Sequence, residues 1–272
     1  MTFKKRHFLF KFDKYSVVLK SLGLIFFFLT CVMSAQQNTA FDSLKLKGVE
    51  DLLVDDYGNI YLYRNKDFSF TKYDSLGKQK GKLMLTLPFK IQSVQNPLSI
   101  PSFSENAQEL KFYDQNLNEI QTVNFRQKFG FIKMVYAEDL QQIWLLDEST
   151  KRLIQYNFRD GRIINSYPLN VDFENINDLL VFNSQVYLLT ADELLICNFK
   201  GDKILNIPVH QGRRLRRENG NILVIGRNTV HLFQDRMLRI IFEAANSQIV
   251  DKNSAAYFGI GDHKLYLYPL NN

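Results

Sequence analysis

Few of the residues that usually carry chemistry are present in this sequence: it holds two cysteines, four histidines and one tryptophan in 272 residues. No paired His and Cys at zinc-ligand spacing, no Gly-x-Ser-x-Gly elbow and no glycine-rich phosphate loop can be found, so no common hydrolase, zinc or nucleotide signature is present. The apolar run from Leu22 to Val32 is 11 residues long, about half of the ~20 that a membrane-spanning helix needs. No stretch after residue 35 shows a convincing helical period. The six prolines and 13 glycines are too few for a disordered or fibrous chain.

What the first 35 residues do hold is a targeting pattern. Lys4, Lys5, Arg6, Lys11, Lys14 and Lys20 precede the apolar run, and Met33-Ser34-Ala35 follows it. That is the order of a cleavable signal peptide, with cleavage expected after Ala35 and a retained single-span anchor as the lesser reading. Cys31 offers lipid anchoring as a second route, although Phe28 and Thr30 stand where a lipobox prefers Leu and a smaller residue. The segment carries six of the 34 basic residues and one of the 28 acidic ones, which leaves 28 against 27, or +1, for residues 36–272. The sequence pI of about 9.1 therefore belongs to the leader, and nucleic-acid binding is not expected of the remainder. Without Cys31, Cys197 has no disulfide partner, and stability must come from packing.

Aromatic residues are 14% of the chain and apolar residues 46%, a bias toward strands. From residue 48 onward a unit of four short strands recurs. Its second and third strands are clearest in "GNIYLY" with "FTKYDSLGK" (58–63, 70–78), in "QIWLLDESTKRLIQYNFRDGRI" (142–163) and in "QVYLLTADELLICNFKGDKI" (185–204). The units "NILVIGRNTVHLFQDRMLRI" (221–240) and "AYFGIGDHKLYLYPL" (256–270) repeat it. The copy "ELKFYDQNLNEIQTV" (109–123) keeps the third and fourth strands, while its second strand, "PLSIPSF" (97–103), is interrupted by Pro97 and Pro101. The residues closing the third strands are Tyr73, Tyr113, Tyr156, Cys197, Phe233 and Tyr268, spaced 40, 43, 41, 36 and 35 apart. Six four-stranded units at this period predict a six-bladed β-propeller, all-β, with blades near 48–88, 89–126, 127–169, 170–209, 210–244 and 245–272. The last copy lacks a fourth strand. An N-terminal strand, placed at "FDSLKLK" (41–47), is expected to close it and cover its edge.

These units resemble those of NHL-type and TolB-type six-bladed propellers, in which a Gly-Asn turn opens the second strand and an aromatic-Asp-x-x-Gly turn ends the third. The Ser-Ala-Gln junction at 34–36 resembles those of exported Bacteroidota proteins. The resemblance covers most of residues 48–270 and implies a fold, with periplasmic or outer-membrane placement following from the leader. Blade two, with its prolines, and blade six, with no Asp-x-x-Gly turn after Tyr268, depart from the pattern.

The most unusual segment is "GRRLRRENG" (212–220), where the innermost strand of blade five belongs. Aligned on the following turn, Leu215 matches Leu53, and Arg214 and Arg216 replace Leu52 and Val54. Arginine is costly to bury unpaired, so Arg213, Arg214, Arg216 and Arg217 should reach carboxylates, the channel or solvent. Two readings follow: a binding spot for an acidic peptide, glycan or phosphate, or pairing with acids of neighbouring blades. Asp55, Asp56, Glu138, Asp139, Asp251 and Asn183, all expected just after first strands, are the oxygen donors for a channel-mouth calcium site, but turn acids more often hold their own backbone. His231 reads as a packed strand residue and His210 and His263 as turn residues. Trp144 reads as packing between blades, and Cys197 as a small core residue.

The functional expectation is a non-catalytic cell-envelope protein, a disc that binds a protein or an envelope polymer and needs no cofactor. The alternative is a metal-dependent propeller hydrolase or lyase with its site at the channel mouth.

Overall fold

The computed structural model describes residues 46–270 and the backbone of Gln37–Asn38. The described residues from 46 to 270 belong to one compact unit. It is all-β: six antiparallel sheets of four strands each, arranged as the blades of a propeller. Blade one runs Asp51–Val54, Ile60–Arg64, Ser69–Tyr73 and Gln79–Met84 from the inside outward. The inner strands of blades two to six are Lys90–Ile91, Ile132–Ala137, Asp178–Phe182, Arg214–Glu218 and Ile249–Lys252.

Burial follows strand position. In blade one the second and third strands are almost wholly buried, whereas Gln79–Met84 alternates between exposed and half-buried residues. Residues such as Ile60, Leu62 and Phe70 lose nearly all contact with water, each worth about 1.5–3 kcal/mol. The polar alternation and lysines of the outermost strand keep that edge from pairing with another chain.

Apolar packing joins each blade to the next. Leu53, Tyr61 and Phe70 of blade one pack with Phe89, Ile100 and Tyr113 of blade two. Leu52, Val54 and Leu62 on its other face pack with Ile249, Phe258 and Ile260 of blade six. The remaining four junctions have clusters of their own. Packing between the first and last blades is what closes a ring.

The strand that completes blade six is N-terminal, as expected: the sheet order places Gln37–Asn38 outside Lys264–Pro269. Of the segment 41–47 assigned to that role, residues 41–45 lie outside the described residues. Leu46 is buried in the cluster between blades one and six, and Lys47–Gly48 make a turn.

Turns between third and fourth strands repeat one chemistry. Asp74 accepts the Leu76 and Lys78 amides at 3.1 and 2.9 Å. Asp114 accepts those of Asn116 and Asn118, both at 2.8 Å, and Asn198 those of Lys200 and Asp202, both at 2.9 Å. The turn needs one left-handed residue, and glycine adopts that conformation without the steric cost of a side chain. At Gly201 (φ +87°) a Cβ would also stand 2.7 Å from the Pro168 carbonyl oxygen.

Blade two departs from the others where its prolines predict. Its inner strand is only two residues long, because Pro101, opposite Gln92, accepts the Gln92 amide at 3.0 Å but has no N–H to return. Residues 92–99 therefore leave the sheet as a loop and line the channel mouth.

Candidate functional site

One position is equivalent in all six inner strands, defined by its partner in the second strand. It holds Asp51 (opposite Tyr63), Lys90 (Phe103), Met134 (Leu146), Asp178 (Leu189), Arg214 (Ile225) and Ile249 (Ile260). The four charges pair past the two apolar residues. Arg214 of blade five reaches past blade six to Asp51 of blade one, and Lys90 of blade two reaches past blade three to Asp178 of blade four at 3.0 Å.

Neighbouring groups lock this layer. Arg213 also binds Asp51, and Arg214 donates to the Leu52 carbonyl at 3.2 Å and lies 3.7 Å from Asp251. Asp178 accepts the Leu215 amide at 2.7 Å, and Lys90 donates to the Asn177 carbonyl. Burial alone would raise the Asp51 carboxyl, but Arg214 and Arg213 together hold it below the usual carboxylate range. Asp251 shows the opposite balance, with burial raising it more than Arg214 and Arg216 lower it.

Beside this layer lies a small pocket of about 10 Å³, lined by Leu53, Gln92, Arg214, Leu215, Arg216 and Asp251 among others. Two mouths open on opposite faces. The one on the face of the loops between first and second strands has a volume of about 680 Å³ and is lined by the 92–99 loop, Tyr136 to Gln141, Leu180 and Arg217. The other, about 540 Å³, is lined by Tyr63, Phe89, Phe103 and Met134 with Lys90, Lys133 and Arg213.

The four arginines have separate fates. Arg213 and Arg214 are held by Asp51. Arg216, 5% exposed, lies 3.4 Å from Glu218 and 3.6 Å from Asp56, and Glu218 also takes Lys252 at 2.6 Å. Arg217 alone is exposed and has no ion pair among the described residues. The carbon of its guanidinium lies 4.3 Å from the centre of the Phe182 ring, and its charge acts on the Tyr136 hydroxyl.

The alignment of this strand is corrected by one residue. Leu215 pairs with Val224 as Leu52 pairs with Leu62, so Leu215 corresponds to Leu52, and Arg214 and Arg216 to Asp51 and Leu53. The connection from Glu218 to Asn221 is shorter than that from Val54 to Ile60, so matching the blades on the turn shifts the strand. A shift of one residue exchanges the faces of a strand. Both arginines thus lie on the side facing blade six.

The candidate calcium donors are engaged locally. Asp55 accepts the amides of Tyr57 and Asn59 and the Tyr61 hydroxyl, at 3.0, 2.8 and 2.9 Å. Asp139 caps its own turn through the Gln141 and Gln142 amides, at 2.7 and 2.6 Å, and Glu138 accepts the Trp144 indole at 2.9 Å. Asp56 accepts the Ser254 amide at 2.8 Å. Asn183 forms a left-handed turn. Asp251 lies within its strand rather than after it and accepts the Val54 amide at 2.9 Å. Among the described residues no group of three His, Cys, Asp or Glu side chains could hold a metal ion.

The other singled-out side chains take packing positions. Trp144 stacks on Phe199 of the next blade at 5.4 Å, and Cys197 is buried. His231 is half-buried, and burial lowers its imidazole pKa. His263 sits in a left-handed turn and His210 in an exposed bend region.

Lys90, Asp178, Asp51, Gln92 and Tyr136 were not singled out by sequence. A signal existed for the first three: each is a charge at the one inner-strand position that Met134 and Ile249 fill with apolar side chains.

No protein-family model matches this chain, and no curated protein matches it. Solved structures similar to it include streptogramin B lyase, at 13% identity over 87% of each chain with a TM-score of 0.48. Another is BamB from Moraxella catarrhalis, at 10% identity over 81% of this chain and 82% of that one, with a TM-score of 0.44. The WD40 domain of Neurospora crassa Pan2 is similar at 8% identity over 85% and 91%, with a TM-score of 0.47. At such identities fold and function are separable, and function has to be argued from the site.

Proposed function

We propose that this chain is a non-catalytic interaction protein, exported to the cell envelope, whose propeller presents one face to a protein partner. The observation that carries the reading is the placement of exposed apolar side chains. Tyr57 and Leu98, in loops between first and second strands, and Leu76, in a turn between third and fourth strands, are 78%, 64% and 84% exposed. All three connections belong to the face on which the 680 Å³ mouth opens. Large apolar groups on loop tips gain nothing from water and gain contact area when a partner covers them.

The chemistry of the axis supports binding over catalysis. Its acids and bases are matched in ion pairs or committed to backbone amides. The envelope assignment rests on the N-terminal targeting pattern alone.

Cross-linking in intact cells of the source organism tests the reading. Tyr57→Ser and Leu98→Ser, together, are expected to remove a cross-linked partner that survives in the parent. The control Ile163→Ser with Ile164→Ser, on the outer strand Arg162–Pro168, should retain it. Equal loss in both variants, or none in either, sinks the proposed face. Intact mass from the same cells tests export, with loss of residues 1–35 expected.

A further inference from the structure

The 680 Å³ mouth has walls of opposite charge. On the blade-five side stands Arg217, its guanidinium carbon 4.3 Å from the centre of the Phe182 ring and with no ion pair among the described residues. On the blade-three side stand Glu138 and Asp139, both exposed. Tyr136 lines the same mouth, where the charges of Arg217 and Glu138 both act on its hydroxyl. Each charge has a contact that leaves it available: the Phe182 ring lies against Arg217, the Trp144 indole holds Glu138, and its own turn holds Asp139. The third wall is the 92–99 loop, rich in side-chain amides. Gln95 donates to the Arg217 carbonyl at 2.9 Å and ties this loop to blade five across the mouth.

A preformed cavity with positive and negative walls selects a ligand with the matching dipole. We propose that the mouth binds an extended segment of a partner protein that carries an acidic and a basic side chain together. Arg217 receives the carboxylate, Glu138 and Asp139 receive the ammonium or guanidinium, and the amides of the 92–99 loop meet the segment's backbone. This rests on the proposed protein-binding face and adds the chemistry of what enters it. A volume of 680 Å³ is of the size that holds a few residues. A peptide is favoured over a free small zwitterion because Tyr57 and Leu98 present apolar surface on the same face outside the cavity, which a ligand confined to the mouth would leave uncovered.

Fluorescence polarisation of the purified protein with labelled eight-residue peptides tests this. The set holds both charge signs in varied spacing, acid only, base only, or neither. Peptides with both signs are expected to bind about tenfold or more tightly than either single-sign class, with affinity falling as salt rises. Arg217→Gln should erase the contribution of the acid and keep that of the base. Glu138→Gln, which preserves an acceptor for the Trp144 indole, should weaken only the contribution of the base. Circular dichroism and melting curves unchanged from the parent show that the variants are folded. Equal binding of single-sign and mixed peptides, or insensitivity to both substitutions, overturns the proposal. If that occurs while Tyr57→Ser with Leu98→Ser still removes the cross-linked partner, the face stands and only its charge-selective mouth is lost.

Discussion

Asp51 and Arg214 occupy the same register position of blades one and five and bind each other past blade six. Equivalent positions of a propeller bring like places in the repeat together at the axis, so a charge there is tolerable only if another blade supplies its opposite. Ile249, at the same position of the intervening blade, adds no competing charge. Sequence divergence between repeats is therefore constrained in pairs of blades rather than blade by blade.

Replacing Asp51 with Asn tests this pairing. Arg214 is only 6% exposed and cannot reach water, so it would be left with Asp251 and the Leu52 carbonyl. A loss of about 3 kcal/mol is expected at neutral pH, measured by urea unfolding. The sign with pH follows from the lowered Asp51 value. The parent's extra stability is present above the ordinary carboxylate value of 3.8 and is lost as pH falls below it, so the two proteins should converge there. A gap independent of pH would mean that Asp51 acts through packing alone.

Lys90 and Asp178 form the second pair, but the two ends are unequal. The Lys90 side chain is 31% exposed and that of Asp178 7%. In Asp178→Asn the amide oxygen still accepts the Leu215 N–H and Lys90 turns toward the mouth, costing about 1 kcal/mol. Lys90→Met strands a buried carboxylate, costing about 3 kcal/mol. Urea unfolding of the two variants at neutral pH compares them. An Asp178→Asn loss larger than that of Lys90→Met contradicts the assigned asymmetry.

Most of the ring was legible because the repeat carries its own signals. Asp74 with Gly77 and Asn198 with Gly201 mark turns by side-chain acceptors and left-handed positions, and both fix where strands begin. The spacing from Tyr73 to Tyr268 counts the blades. The site was less legible for three physical reasons. The face on which Arg214 and Arg216 project depends on a shortened turn that shifts the alignment by one residue. The partner of Arg214, Asp51, is 163 residues away, and nothing local announces so distant a pair. Pro101 was visible as an interruption, but its effect, freeing residues 92–99 to line a mouth, depends on which neighbour would have received its missing N–H.

Glycine positions in the repeat separate two costs that sequence alone merges. Gly58 and Gly201 both have positive φ, +80° and +87°, but a Cβ at Gly58 meets nothing within 4 Å, while at Gly201 it meets the Pro168 carbonyl oxygen at 2.7 Å. Gly58→Ala is expected to cost about 1 kcal/mol from backbone conformation. Gly201→Ala should cost about 2 kcal/mol more, since backbone must move. Chemical denaturation of both reads the difference directly, and equal losses would show that blades three and four separate easily at that turn.

Pro101 gives the sharpest link between a local backbone rule and the proposed binding mouth. Gln92 and Pro101 face each other as a pair that should exchange two hydrogen bonds, and only the bond from the Gln92 amide at 3.0 Å is made. Pro101→Val supplies the missing donor to the Gln92 carbonyl with a strand-favouring side chain. The expected gain is about 0.5–1 kcal/mol, and the new amide at 101 should be protected from hydrogen exchange. Extension of the pairing toward Ser93 would draw the 92–99 loop from the mouth and weaken its tie to the Arg217 carbonyl. Mixed-charge peptide binding should then fall even though stability rises. If the new amide is protected and peptide binding is unchanged, the loop is held by its own turn, in which Ser93 Oγ accepts the Gln95 amide at 3.1 Å and the Asn96 carbonyl accepts the Ser99 amide at 3.1 Å. In that case the mouth owes its shape to those bonds rather than to the proline.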